Sequence, residues 1–119
     1  MRDFRGLTVW EKAHALSVEL YGVTKSFPRD ELFGMTNQIR RSVASIGANI
    51  AEGCGLGTEA QLAHYMQISM GSASELEYQL LLAHDLDYLP GDNYQNLNDA
   101  VIEVKRMLAP FIKRLQSTR

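Results

Sequence analysis

Two adjacent arginines, Arg40 and Arg41, stand near the start of the stretch "QIRRSVASIGANIAEG", which is otherwise rich in small and aliphatic residues. Paired arginines can bind phosphate, or they can join two protein surfaces through carboxylates. Surfaces that bind the phosphates of nucleic acids usually hold more than two cations. The pattern therefore favours a structural role for the pair and leaves direct phosphate contact open as the alternative.

Few other residues have the spacing of a reactive site. Glu11 and His14 show the ExxH spacing of di-iron helical bundles, but those sites need a second ExxH pair and two further glutamates. The sequence contains no second ExxH. Its single cysteine, Cys54, can form no internal disulfide and lacks the partner cysteines of a zinc site. We therefore predict no catalytic residue, no metal and no cofactor, and a metal-dependent bundle enzyme is a distant alternative.

The charges are separated along the chain although the net charge is only −2. Residues 1–41 carry seven basic and five acidic side chains, residues 42–104 carry nine acids and no Lys or Arg, and residues 105–119 carry five basic groups and no acid. Such separation gives a folded protein an acidic and a basic surface, which suits self-association or an anionic partner.

The composition indicates one compact domain spanning residues 1–119. With 45% hydrophobic and 22% charged residues, the chain resembles neither a disordered nor a membrane protein. No apolar run approaches the roughly 20 residues that a bilayer requires. The first residues lack the apolar core of a signal peptide. We therefore expect a soluble cytoplasmic protein with no membrane association.

Helix start signals recur in one form. Thr8 precedes Glu11, Thr58 precedes Gln61 and Asp92 precedes Gln95, each with the three-residue spacing of an N-cap motif. A further helix should begin near "FPRDELFG", where Pro28 ends the first helix at Phe27. The stretches "GCGLG" and "LPGD" separate the later helices. Pro110 predicts a kink or a break about one turn earlier in the last helix.

Each predicted helix carries one apolar stripe at spacings of three and four residues. The stripes are Val9, Ala13, Leu16, Leu20 and Phe27; Ile39, Val43, Ile46 and Ile50; Leu62, Met66, Ser69, Ala73, Leu76, Leu80 and Ala83; and Tyr94, Leu97, Val101, Val104, Leu108, Phe111 and Leu115. No strand alternation is present. We therefore predict an all-α fold, an antiparallel up-down four-helix bundle.

The second and third helices also carry a small or apolar stripe on the opposite side. One bundle cannot bury two opposite faces, so we predict a homo-oligomer, assembled as a ring. The predicted interface residues are Ala44, Ala48, Ile68, Gly71, Leu82 and Leu86. Glu75 and Arg41 lie on the same faces. We predict a structural ion pair between them, with Arg40 beside it, either inside one subunit or across the interface.

Two segments resemble a known family. "FRGLTVWEKAHALSVELYGVTKSFPRDELFGMTNQIRRSVASIGANIAEG" and "MGSASELEYQLLLAHDLDYL" resemble the 23S rRNA intervening sequence proteins, also called four helix bundle proteins. The resemblance implies an antiparallel bundle that assembles as a homopentamer and has no enzymatic activity. The family is similar to the accessory variability protein of diversity-generating retroelements, which is basic and binds nucleic acid and a reverse transcriptase.

The chain departs from the family pattern at two places. Family members commonly continue "GxGRR" with basic residues, whereas this chain reads "GCGLGTEAQ", and a frequent proline in "SIPxN" is replaced by Gly47. The first change removes cations from a place where nucleic acid could bind. The remaining candidates for contact with nucleic acid or an acidic partner are in the basic C-terminal segment, Lys105, Arg106, Lys113 and Arg114, with Arg119 beyond them.

The sequence thus favours a non-enzymatic bundle that self-associates, as a pentamer by resemblance, and acts as a structural or adaptor protein of unknown biochemical role. Its partners are further copies of itself, with another protein as a candidate. Binding of RNA or DNA is the alternative function. We expect the four C-terminal cations to be exposed on one side of the last helix.

Overall fold

The computed structural model describes residues 2–117, and all regular structure within that range is helical. The four main helices are α1 (Thr8–Val23), α2 (Met35–Gly55), α3 (Glu59–Asp85) and α4 (Gly91–Ser117). Short 3-10 turns span Phe4–Gly6, Thr24–Ser26 and Arg29–Glu31. The all-α prediction is confirmed. No helix in the described range is long and apolar enough to cross a membrane.

Contacts between neighbouring helices show that they run antiparallel. On α2 and α3, Ser42 bonds Glu75 and Ser45 bonds Ser72, so numbers rise on one helix as they fall on the other. On α3 and α4, His84 stacks on Tyr94 and Glu77 accepts a hydrogen bond from Lys105, so these two helices also run antiparallel. Helix α4 also reaches α1, where an ion pair at 3.3 Å joins Glu103 to Lys12. The elongated molecule measures 46 × 22 × 20 Å, as expected for an up-down bundle of helices about 40 Å long.

The predicted stripes form the hydrophobic core. All of their residues are buried except Tyr94 and Phe111, which are partly buried and pack against the core. Ile112 takes the buried position near the end of α4 instead. The guanidinium carbons of Arg2 and Arg114 lie 5.5 and 5.2 Å from the ring centroid of Phe111.

The predicted helix starts agree with the observed ones to different degrees. Thr58 is the N-cap of α3, and its hydroxyl accepts a hydrogen bond from the Gln61 backbone N–H at 3.1 Å. Thr8, in contrast, is the first residue of α1 and not its cap, because the capping position is Leu7. Asp92 lies in the first turn of α4, one residue inside its start, and its carboxylate accepts from Asn93. The predicted cap at Thr8 is thus displaced by one residue from the capping position, and the predicted cap at Asp92 by two.

Two predicted boundaries differ from the structure. Helix α1 ends at Val23 and not at Phe27, because the chain tightens into a 3-10 turn in which the Thr24 hydroxyl bonds the Leu20 carbonyl at 2.7 Å. Helix α4 continues without a break through Pro110. Because proline has no backbone N–H, the carbonyl of Arg106 lacks its usual helical donor. Pro110 is exposed, so water can bond that carbonyl instead.

Candidate functional site

Helices α2 and α3 together present one side of the bundle that no other helix covers. We call it the α2–α3 face. Ile68 is 40% exposed and Leu86 is 45% exposed on it. The other exposed members are Arg41, Ala44, Ala48, Gly71, Glu75 and Tyr78, whereas Leu82 is half-buried against the core. Exposed large apolar side chains beside small ones are typical of a surface that contacts protein.

Small and hydroxyl-bearing residues bring α2 and α3 close together beneath this face. Ser69 donates to the Ile46 carbonyl at 2.8 Å, and the Ser45 and Ser72 hydroxyls are 2.9 Å apart. Gly53 lies so close to α3 that a Cβ atom there would be 3.0 Å from a Leu62 methyl group. These contacts set the close spacing between the two helices that form the face.

A polar cleft of about 350 Å³ opens in the α2–α3 face between the two helices. It is lined by Gln38, Arg41, Ser42, Glu75 and Gln79. The Ser42 hydroxyl donates to Glu75 Oε1 at 2.6 Å. Gln79 is only 7% exposed, and its Oε1 atom accepts no hydrogen bond within the described chain. A buried acceptor of this kind usually has a partner, so the cleft is suited to receive a donor.

The predicted ion pair between Arg41 and Glu75 is not formed within one chain. Both side chains are exposed, and no Arg41 nitrogen is within 4.0 Å of a Glu75 oxygen. They line the same cleft without touching, because exposed charges on neighbouring helices gain little from pairing in water. Pairing across an interface between copies stays a prediction.

Arg40 takes a different role from the one predicted for it. Its Nε donates to the Thr24 hydroxyl at 2.9 Å, and its Nη2 donates to the Tyr21 carbonyl at 3.3 Å. The guanidinium carbon also lies 5.0 Å from the Tyr21 ring centroid. The Tyr21 carbonyl belongs to the last turn of α1, where a cation is favourable for the helix dipole. Arg40 therefore caps α1 and is not part of a cluster with Glu75.

The C-terminal basic segment is only partly free, as Lys105 shows. It is half-buried and bonds Glu77 at 2.9 Å, so the prediction that it is exposed is wrong. Its position faces α3, whose acidic residue attracts it. Arg106, Lys113 and Arg114 are exposed as expected. Arg119 lies outside the described residues.

The residues considered for reactive chemistry do not converge. Glu11 and His14 are exposed on α1, and the His14 ring stacks on Trp10 with centroids 4.9 Å apart. Within residues 2–117, no three His, Cys, Asp or Glu side chains form a group that could hold a metal. Cys54 is buried, and burial raises the pKa of its thiol.

A feature that the sequence did not suggest joins the two loops at one end of the bundle. Glu31 Oε2 accepts from the Tyr88 hydroxyl at 2.8 Å, and Glu31 Oε1 accepts from the Met35 backbone N–H at 3.2 Å. The bond to Glu31 raises the pKa of Tyr88. One carboxylate thus caps α2 and fixes its leading loop to the loop between α3 and α4. An acidic residue four positions before the helix was the available signal.

Comparisons with known proteins agree with this architecture. A crystal structure of a protein of unknown function, from the S23 ribosomal protein family of Bacteroides thetaiotaomicron VPI-5482, is similar to this chain at 30% identity and a TM-score of 0.82. The match covers 88% of this chain and 95% of that one. A search of curated proteins gave no match. The family model described as the 23S rRNA-intervening sequence protein matches residues 5–110, and the chain therefore belongs to that family.

Proposed function

We propose that this protein is a non-enzymatic cytoplasmic scaffold or adaptor whose subunits associate through the α2–α3 face. One observation carries the proposal: Ile68, Tyr78 and Leu86 are exposed on the side of the bundle where Ala44, Ala48 and Gly71 would let another backbone approach. Large apolar anchors surrounded by small residues can pack against a neighbouring copy and exclude water from the contact.

The polar cleft supports the same conclusion. Gln79 Oε1 has no donor within the described chain, and Glu75 Oε2 has no hydrogen-bond partner there either. A neighbouring copy could supply donors to both groups, and Arg41 is exposed at the edge of the cleft to act as one such donor. An interface would then satisfy the buried acceptor that a single chain leaves unpaired.

The proposed assembly is a ring of five copies. The number comes from the family resemblance, and the uncovered α2–α3 face supports association without fixing the number. Each interface in a stable ring should bury about 800 Å² per subunit. A face about 20 Å wide along helices of about 40 Å can supply that area for one of the two interfaces that each ring subunit makes, and the neighbouring copy contributes a different surface.

Light scattering coupled to size-exclusion chromatography tests the proposal. The wild-type protein should be an oligomer at micromolar concentration, and the double variant Ile68→Lys/Leu86→Lys should shift to a smaller species because two ammonium groups would be desolvated at the interface. Val18→Lys is a matched control, since Val18 is 63% exposed on α1 and outside the face. A monomeric wild type would refute the proposal.

Binding of nucleic acid is the second candidate function. Its support is three exposed cations on the last turns of α4: Arg106, Lys113 and Arg114. Three cations per subunit, repeated around a ring, would concentrate positive potential. Electrophoretic shift of RNA and DNA over a range of salt concentrations tests this candidate, because phosphate contacts weaken steeply as salt rises. Absence of any shift at low salt would reject it.

A further inference from the structure

A second groove lies at the end of the bundle where the α1–α2 loop meets α2. We call it the loop groove. Its volume is about 270 Å³, and it is lined by Thr24, Lys25, Phe27, Pro28, Arg29, Leu32, Thr36 and Arg40. Three of the lining residues are cations and none is acidic. The floor and walls otherwise consist of two threonines and three apolar residues.

Two cations of the loop groove, Lys25 and Arg29, are available to an incoming ligand. Within residues 2–117 neither Lys25 nor Arg29 forms an ion pair. The nearby Glu31 uses both carboxylate oxygens for Met35 and Tyr88. Asp30 is exposed on the same turn but does not line the groove. The groove is therefore an electropositive pocket whose charge is not neutralised from within.

The loop groove is also bordered by exposed apolar surface. Leu32 lines the groove and is 50% exposed, and the next residue along the chain, Phe33, is 91% exposed. An aromatic side chain that is almost entirely in water gains nothing for the stability of its own chain. Such residues are typical energetic centres of protein interfaces. Apolar anchor and cations are thus placed side by side.

The backbone that carries these residues is held in place from two directions. Arg40 binds the Tyr21 carbonyl and Thr24 on one side. Glu31 joins Tyr88 on the other side, where the Phe27 and Tyr88 rings also pack with centroids 5.5 Å apart. A loop that is already ordered loses little conformational freedom when it binds, which favours recognition at this place.

We propose that the loop groove is a docking site for an acidic peptide segment that carries a large apolar side chain. The apolar side chain packs on Phe27, Pro28 and Leu32 and against Phe33, while flanking carboxylates pair with Lys25 and Arg29. The positive charge of Arg40, whose guanidinium holds the end of α1, adds to the attraction. The inference rests on the proposed adaptor role and names the chemistry of its partner. The apolar floor favours a peptide over a nucleic acid, whose closely spaced phosphates would need more than three cations.

Fluorescence anisotropy with labelled peptides tests this proposal. The probe is an eight-residue peptide of six Asp or Glu residues around a central Phe-Leu pair. One control peptide has Asn and Gln in place of the acids, and another has Gly-Ser in place of Phe-Leu. We expect saturable binding of the probe, with a dissociation constant on the order of 10–100 µM, and at least about tenfold weaker binding of either control.

Protein variants locate the binding. Lys25→Glu/Arg29→Glu should weaken binding of the probe by about tenfold or more, and Phe33→Ala by about fivefold or more. Arg2→Glu/Arg5→Glu makes the same charge change at the other end of the bundle and should leave binding unchanged. All five positions are exposed, so the fold should persist; circular dichroism checks it.

Three results would overturn the proposal: no binding of the probe by the wild type, equal loss in the two charge-reversed variants, or displacement of the probe from the groove by a single-stranded RNA of equal charge. Light scattering on the same samples separates this inference from the proposed self-association. Normal oligomer size without peptide binding refutes the docking site alone, whereas a monomer that binds the probe refutes self-association alone.

Discussion

Replacement of Gly53 by alanine should destabilise the protein even though alanine is the better helix former. Gly53 lies near the end of α2 and faces α3. An added Cβ atom would be 3.0 Å from Leu62 Cδ1, 3.0 Å from Tyr65 Cβ and 3.2 Å from Leu62 Cα. The leucine methyl group can rotate away, but the Leu62 Cα is backbone. Helix α3 would therefore have to shift by a few tenths of an ångström relative to α2.

The magnitude follows from two opposing effects. Inserting a methyl group into a packed contact costs about 1–3 kcal/mol. Gly to Ala in a helix gains up to about 1 kcal/mol, and less at Gly53 because α2 ends two residues later. The steric effect is larger, so the free energy of unfolding should fall by about 1–2 kcal/mol.

Urea denaturation followed by circular dichroism measures this change, at a fixed protein concentration because self-association would contribute to stability. Gly22→Ala is the matched control, since Gly22 is also near a helix end, but a methyl group added there would have no heavy atom within 4 Å. It should be neutral or stabilising by up to about 1 kcal/mol. A Gly53→Ala protein as stable as the wild type, with unchanged m-value, would refute the steric argument.

Three further predictions concern charge and ionisation. Glu75→Gln should weaken assembly, and the effect should be smaller in an Arg41→Gln background if the two side chains pair across copies; equal effects in both backgrounds would exclude that pairing. Cys54 should react slowly with iodoacetamide in the native protein and quickly in urea, because burial both covers the thiol and raises its pKa; rapid native alkylation would contradict its burial. The hydrogen bond to Glu31 raises the pKa of Tyr88, so the folded state holds the phenol proton more tightly than the unfolded state does. The bond therefore contributes to the free energy of unfolding below about pH 10, and this contribution is lost as the pH rises through the raised pKa. Urea titrations at alkaline pH should show a smaller loss of stability in Tyr88→Phe than in the wild type.

Helical periodicity was sufficient to predict the core. The spacing of residues such as Ile39, Val43 and Ile46 places them on one side of a helix, and this can be read without knowing any distant contact. That side is the buried one. The cap at Thr58 was equally local, since donor and acceptor are three residues apart. Fold class and core therefore follow from short-range patterns.

The details of the candidate sites depend on contacts between distant residues. Sequence spacing placed Arg41 and Glu75 on facing helices, but the separation of their charged groups depends on the offset of the helices and on two long side chains. The end of α1 is set by Thr24, which bonds both Leu20 and Arg40 sixteen residues later. The exposure of Phe33 depends on the path of the whole loop. None of these relations has a periodic signal.

Arg40 and Arg41 contact different parts of the bundle, and this has a consequence for which substitutions occur together among members of the family. Successive residues on a helix point about 100° apart, so Arg40 turns toward α1 while Arg41 turns toward the cleft. The "RR" dipeptide is therefore two separate constraints that happen to be neighbours. In an alignment of relatives, substitutions at position 40 should covary with position 24, and those at position 41 with positions 75 and 79. A homologue could then lose one of the two arginines while the other keeps its own contacts.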